Sequence, residues 1–219
     1  MKMIVVFEKK ERLRLIGHLD LMRAMQRALR RSDLPLRYSQ GFNPHILLNF
    51  AAPLSLGMPG KREIMEIPLG KSVNEKEFIA KLSSALPSDL PLVSVRAVKD
   101  EHPAPMASLT AAMYTAKMET VPEGIADTIA RFLSQDQIPA VRKTKSGMKE
   151  CDLRPMIYDL ALTGDTLRMT LALCEKATCK PDLLLSTLFE FAGMERPRML
   201  ITRTQMLGGE DCFMPLEML

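Results

Sequence analysis

The chain has 219 residues, 47% of them hydrophobic, with 30 Lys and Arg against 26 Asp and Glu for a net charge of +4. That length lies between one and two ordinary domains and carries enough apolar residues for a real core. No apolar run approaches the roughly 18 residues a membrane span needs, and the start MKMIVVFEKKERLR has too short an apolar part for a signal peptide, so a folded cytoplasmic protein is expected.

In chain order, Met3 to Phe7 is a short β-branched, apolar run that reads as a strand. A helix follows from about Leu19 to Arg31 and ends at Ser32-Asp33, with Pro35 forbidding continuation. At 100° per residue, Leu21, Met22, Met25 and Leu29 fall on one side, and Arg23, Arg27, Arg30 and Arg31 gather on the other. Asp20 is a favourable charge in the first turn. Leu36 to Tyr38, Ile46 to Ala51 and Glu63 to Leu69 read as strands, then a helix from Asn74 or Glu75 to Leu86, then a strand from Leu92 to Val98. The stretch from Lys99 to Leu109 is polar and proline-rich and reads as a linker, and His102 within it is given no role.

Beyond it the same order returns. A strand is expected near Ala112 to Met118, a helix from Pro122 to Leu133, a strand from Ile138 to Lys143 with a paired strand, a helix from Pro181 to Ala192 and a strand from Arg198 to Met206. Alternating Tyr158, Leu160 and Leu162, then Leu167, Met169, Leu171 and Leu173, flank Gly164-Asp165 as a hairpin with a two-residue turn. Pro122 and Pro181 suit first helical turns, and Gly193 suits a helix end. Two halves of matching order suggest an α+β chain of two tandem ferredoxin-like βαββαβ modules with antiparallel sheets: residues 1–99, a linker at 100–110, and residues 111–219.

The basic charge is not spread evenly. Residues 1–62 hold 12 Lys and Arg against 4 Asp and Glu, a net of +8, whereas the other 157 residues hold 18 against 22, a net of −4. Such segregation is what a footprint for a polyanion looks like, and a solvated basic face gives the same count. Two segments concentrate candidate contacts. Arg37, Tyr38, Ser39, Gln40, Phe42, Asn43 and His45 form a run rich in turn formers, with aromatic faces on which bases can stack. Arg142, Lys143, Lys145 and Lys149 surround Ser146-Gly147, where cations reach phosphates and glycine lets the backbone approach. Neither segment has the spacing of a nucleotide-binding P-loop.

His45 follows Asn43-Pro44 in a polar turn and is the candidate for acid-base work, a phosphate contact or simple solvation. His18 projects near Met22 and Met25 and reads first as a structural histidine, second as a catalytic partner of His45. Cys151, Cys174, Cys179 and Cys212 show neither a Cys-x-x-Cys zinc spacing nor the density of a disulfide scaffold, and read as reduced thiols. No metal and no cofactor are implied.

His18-Leu19-Asp20-Leu21-Met22-Arg23-Ala24, Gln26 to Arg31, Leu34-Pro35 and Tyr38 to His45, with a second patch at Thr144 to Gly147 and Asp152-Leu153-Arg154-Pro155, together resemble the radical-SAM-linked family of uncharacterised bacterial proteins. Members of that family occur alone or fused behind a radical-SAM domain. Because this chain lacks a three-cysteine cluster for an iron-sulfur centre, the resemblance implies a partner of a radical-SAM enzyme and not the enzyme itself. The expected function is a noncatalytic RNA-binding or RNA-presenting accessory protein. The alternatives are a protein-protein adaptor for a radical-SAM enzyme, and a metal-independent RNA-processing enzyme using His45.

Overall fold

In a computed structural model, the structure describes residues 1–144, 147–209 and 213–219, with the side chains of residues 143 and 144 set aside. In chain order the elements are β1 (Lys2–Lys9), α1 (His18–Arg31), β2 (Asn49–Phe50), β3 (Gly60–Pro68), α2 (Glu75–Ala85), β4 (Leu92–Val98), α3 (Pro105–Ser108) and β5 (Leu109–Met118). There follow α4 (Ile125–Leu133), β6 (Pro139–Thr144), β7 (Gly147–Asp152), β8 (Ile157–Thr163), β9 (Thr166–Ala172), α5 (Pro181–Ala192), β10 (Met199–Gly208) and β11 (Met214–Pro215). The chain is mixed α+β, with mostly antiparallel sheet and five α-helices among the described residues. None of those helices is long and apolar enough to cross a membrane.

Two compact units divide the chain. The first comprises Met1–Leu109 with Gln205–Leu219, and the second Thr110–Thr204. In the first, β1 lies between β4 and β3, antiparallel to both, and β2 pairs with β3. A strand paired on both edges and covered on both faces has no use for polar alternation, which is why β1 reads as the unbroken run Met-Ile-Val-Val-Phe. Met3, Val5 and Phe7 join Met65 and Ile67 of β3 and Val95 of β4, beneath Leu21, Met25, Ala28 and Leu29 of α1 and Phe78 and Leu82 of α2. The C-terminal segment belongs to this unit: Leu216 is buried, and Glu217 pairs with Arg62 at 2.7 Å.

In the second unit β9 lies between β5 and β8, antiparallel to both, and the Met199–Thr204 part of β10 flanks β5. Tyr114 faces Met169 and Ala112 faces Leu171 across the β5–β9 pair. Ile125, Ile129 and Phe132 of α4 and Leu184, Leu185, Leu188 and Phe189 of α5 are buried. β6 and β7 pair only with each other, as a separate two-stranded sheet.

Local chemistry sets most element ends. Asn74 caps α2 by accepting from the Glu77 N–H at 2.8 Å, and Gly193, at φ 63°, ends α5. The Gly164-Asp165 turn joins β8 and β9 through the Thr163–Thr166 pair, as the alternating pattern predicts. Three expectations shift. The strand expected over Leu36 to Tyr38 is reduced to isolated bridges, Leu36 to Leu69 and Tyr38 to Ile46. The α4 helix begins at Ile125 and not Pro122, because Gly124 adopts φ 76° and breaks the first turn away. The strand expected over Ile46 to Ala51 is regular only at Asn49–Phe50, since Ile46 and Leu47 turn to Tyr38 and Arg37. In the proline-rich stretch, Pro105–Ser108 forms one helical turn, and Pro105 and Leu109 are buried.

Candidate functional site

The start of α1 is fixed from beneath by a buried lysine. Lys9, 1% exposed at the end of β1, donates from Nζ to the Ile16 carbonyl at 2.9 Å, to Arg14 at 3.4 Å and to Met58 at 3.5 Å. An ammonium has three donors, and here these three carbonyls hold the loop that leads into the helix. Gly17 is the N-cap and offers no side-chain bond, so Asp20 in the first turn and Arg30 and Arg31 in the last supply the charge complement to the helix dipole. The Ser32 hydroxyl donates to the Leu29 carbonyl at 2.7 Å, and Asp33 adopts the left-handed conformation, φ 51°, at the helix end.

With the apolar face held in the core, Arg23, Arg27, Arg30 and Arg31 are all exposed. Their engagements differ. Arg23 pairs with Asp20 at 3.0 Å, an exposed pair one turn away. Arg31 donates to the Ala85 carbonyl at the end of α2, at 2.7 Å. Arg27 and Arg30 have no ion pair or side-chain hydrogen bond among the described residues, so two guanidinium groups one turn apart stand in solvent on a rigid helix.

The segment after α1 is closed into a small tongue. Leu47 donates to the Arg37 carbonyl at 2.9 Å and Ser39 to the His45 carbonyl at 2.8 Å. The Ser39 hydroxyl oxygen accepts from the His45 N–H at 3.1 Å and lies 2.8 Å from His45 Nδ1. The hydroxyl can give its proton to Nδ1 or accept a second one from it, according to the tautomer. Both ends of the loop are thus tied by one serine, and residues 40–44 project between them. Gly41 takes φ 125°, which side-chain-bearing residues rarely adopt. Phe42 beside it is fully exposed, Tyr38 is 46% exposed, and Gln40, Asn43 and His45 are exposed. Burying a Phe side chain is worth about 1.5–3 kcal/mol; Phe42 contributes none of that to this fold.

Arg37, by contrast, is spoken for. Its Nη2 donates to Asp100 Oδ2 at 2.8 Å, and the same oxygen accepts from the Met1 amino group at 2.9 Å. Those two hydrogen bonds hold the Asp100 carboxyl below its usual range, the amino group first and Arg37 second. His18 opens α1 half-buried, its ring edge-on to Phe50 with centroids 5.3 Å apart. His45 makes its described hydrogen bonds to Ser39, with no carboxylate among them.

In the second unit, Arg142 and Lys149 are direct cross-strand partners on the β6–β7 hairpin, and both are exposed. Like charges placed opposite each other destabilise a strand pair by several tenths of a kcal/mol, ~0.2–1. Backbone pairing continues through Lys143 with Met148 and Thr144 with Gly147; Lys145 and Ser146 lie outside the described residues. A groove of about 640 Å³ between α4, α5 and this hairpin is lined by Phe132, Val141, Phe191, Glu150 and Glu190 among others. Among the described residues its wall has no Lys or Arg, and it carries Glu150 and Glu190.

Sequence reasoning missed the partners more than the residues. Asp100, read as linker, neutralises Arg37, and Ser39 and His45 are legible singly but not as a pair. The buried Lys9 was signalled only by its place at the end of an apolar strand. Among the described residues no group of three or more His, Cys, Asp or Glu could hold a metal ion.

The features together define an α+β protein that carries a basic helix with an adjoining aromatic tongue in one unit and a basic hairpin in the other. The chain belongs to DUF2344, a family of uncharacterized proteins conserved in bacteria, whose profile matches residues 2–181. No curated protein matches it.

Proposed function

We propose that the chain is a noncatalytic RNA-binding or RNA-presenting protein acting beside a radical-SAM RNA-modification enzyme. The observation that carries this reading is the pair of exposed guanidinium groups, Arg27 and Arg30, unpaired among the described residues, on a helix whose opposite face is locked in a core. Unpaired arginines on a rigid scaffold meet phosphates without first breaking ion pairs. Phe42 supplies a free aromatic face in the same unit, and Tyr38 a second. Arg142 opposite Lys149 gains from a bound phosphate what it loses to repulsion.

The strand orders support a finer reading of the architecture. In the first unit β4-β1-β3, with β2 on β3, and in the second β10-β5-β9-β8, each with a helix after its first and third strands, follow the ferredoxin-like pattern, with β6–β7 as an insertion. Tandem modules at 1–99 and 111–219, joined through 100–110, are the division this reading proposes along the chain, with Gln205–Leu219 returning to the first compact unit. Many RNA binders use that module, which is support by analogy of fold. The radical-SAM partner rests on the resemblance of the 18–45 segment.

The test is binding of the nuclease-treated protein to total cellular RNA across a salt series. An Arg27→Ala, Arg30→Ala variant should weaken binding and reduce the slope of log affinity against log salt by roughly 0.7 to 0.9 for each phosphate it no longer neutralises. Phe42→Ala should cost about 1–3 kcal/mol if a base stacks there. An unchanged slope in the double variant overturns the reading. RNA cleavage that His45→Ala abolishes while binding persists would replace it with the enzymatic alternative.

A second reading, the adaptor, is favoured by a separate observation. Leu15, Leu19 and Leu56 are 70%, 64% and 67% exposed, and the Gly57 N–H donates to the Arg14 carbonyl at 2.8 Å, setting the turn that bears Leu56 beside the segment that bears Leu15. A contiguous exposed apolar patch marks an interaction site, and Leu15 and Leu56 are brought side by side in this way. A complex with a radical-SAM enzyme that survives high salt and nuclease, and is abolished by Leu19→Ser, would favour the adaptor over RNA.

A further inference from the structure

We propose that the groove of the second unit docks an extended segment of a partner protein, in which apolar residues alternate with Lys or Arg, as a third strand on the free edge of β6. One wall of this groove of about 640 Å³ is a single stripe of α5: Leu183, Ser186, Thr187, Glu190 and Phe191 recur at the three- and four-residue spacing of one helix face. The neighbouring face, with Leu184, Leu185, Leu188 and Phe189, is buried, so the stripe is a second and separate face. From Leu183 to Phe191 it runs about 12 Å at 1.5 Å per residue, the length of about four residues of extended chain.

The opposite wall is a strand edge. Side chains of a strand point alternately to two faces, yet Ile138, Pro139, Ala140 and Val141 all line the groove, so the strand meets it edge-on. That edge is open. Among the described residues β6 pairs only with β7, and the Leu153 N–H donates to the Ile138 carbonyl at 2.8 Å. In that register Ala140 and Arg142 exchange backbone bonds with β7, while the Pro139 carbonyl and the Val141 N–H and carbonyl point the other way. No backbone hydrogen bond outside the β6–β7 ladder reaches them among the described residues. An open edge is a template for another strand, and a peptide that adds to it gains affinity from its backbone and specificity from alternate side chains.

The side chains select the strand. Val141 and Phe191 are 50% and 43% exposed, and Phe191 stands edge-on to Phe132 with ring centroids 5.5 Å apart, so the groove offers apolar contacts. Its free charge is of one sign. Glu150 and Glu190 lie in the wall and Asp136 between the wall residues Gln135 and Ile138; all three are exposed and without an ion pair among the described residues. α4 ends at Leu133 and α5 at Ala192, each beside a wall residue, so the negative ends of two helix dipoles add to that sign. The nearby cations are engaged or turned away. Arg196 pairs with Asp182 at 2.9 Å and donates to the Ser186 hydroxyl at 3.1 Å. Arg142 and Lys149 are one step along the hairpin from Val141 and Glu150, and therefore point to the other face. Carboxylates beside the open edge reject an acidic strand, and the apolar contacts go unused by a wholly polar one. Among the described residues, none of the arginines or lysines proposed for RNA lines this groove, and the docking is independent of that reading.

The experiment is an NMR titration of the full chain with three capped hexapeptides, alternating Val-Lys, Val-Glu and Ser-Lys, and with a Val-Lys peptide N-methylated along one edge. Saturable binding of the Val-Lys peptide is expected, with slowed exchange of the Val141 amide and at least tenfold weaker binding of the other three. Glu150→Lys with Glu190→Lys, both at exposed positions, should reverse the preference so that the Val-Glu peptide binds more tightly than Val-Lys. Absence of saturation with Val-Lys, equal binding of Val-Glu or Ser-Lys, undiminished binding of the N-methylated peptide, or an unreversed preference in the double variant each overturns the proposal. Self-association of the chain that shuts out the peptide would assign the edge to a second copy and overturn it too. Should the double variant fail to fold by circular dichroism, the N-methylated peptide on the native chain carries the test: lost binding supports the added strand and retained binding overturns it.

Discussion

The basic helix α1 and the basic hairpin β6–β7 both expose cations, but they hold them in opposite ways. In α1 the charges are a by-product of periodicity: every residue that leaves the core face points to water, and the core fixes the helix whatever those residues are. Arg23, Arg27, Arg30 and Arg31 can therefore be changed with little cost to the fold. The hairpin has less support, with Ala140 buried beside α4 and α5 but its outer part standing clear. β6 and β7 pair only with each other, Val141 and Met148 are half or more exposed, and Arg142 faces Lys149. A strand pair built this way is weakened by the very residues that suit it to an anion. Charge on a packed scaffold and charge on a lightly supported ribbon thus predict different couplings between binding and stability.

The largest effect should come from the buried side of α1. Leu29→Ala removes a side chain that is 1% exposed and should cost about 2–5 kcal/mol in urea unfolding; a loss under about 1 kcal/mol, below the range for such truncations, would mean that the helix is not anchored as described. The hairpin should respond in the other direction. Lys149→Glu places an acid opposite Arg142 and should stabilise the strand pair by about 0.2–1 kcal/mol, read as slower amide exchange in β6 and β7, while weakening any anion affinity there. Slower exchange with unchanged anion affinity would separate the hairpin from binding. The smallest effect tests the helix start. Gly17 is extended, at φ −71°, and a Cβ there would meet nothing within 4 Å, so Gly17→Ser should add a few tenths of a kcal/mol as a better N-cap without altering RNA affinity. A loss of stability would show that the loop above Lys9 does not tolerate the hydroxyl.

What the amino-acid sequence determined by itself is whatever short-range periodicity and backbone chemistry control. The two faces of α1 follow from 3.6-residue spacing, the β8–β9 hairpin from alternation around Gly164-Asp165, the α2 cap from Asn74, and the end of α5 from Gly193. Where a single residue outweighed the pattern, as Gly124 does before α4, the boundary moved by a few positions. Tertiary structure decided the partners, because hydrogen bonds and charge compensation are made between segments whose separation along the chain carries no signal. Arg37 reads as a free cation until Asp100, 63 residues away, is found on it. Arg96 reads as an ordinary strand residue, yet the fold leaves it half-buried beside a cavity made from β1, the 102–108 segment and the C-terminal turn. Which arginines are neutralised and which remain available is a property of three-dimensional neighbours, since Coulomb energy falls with distance in space and is indifferent to distance in sequence.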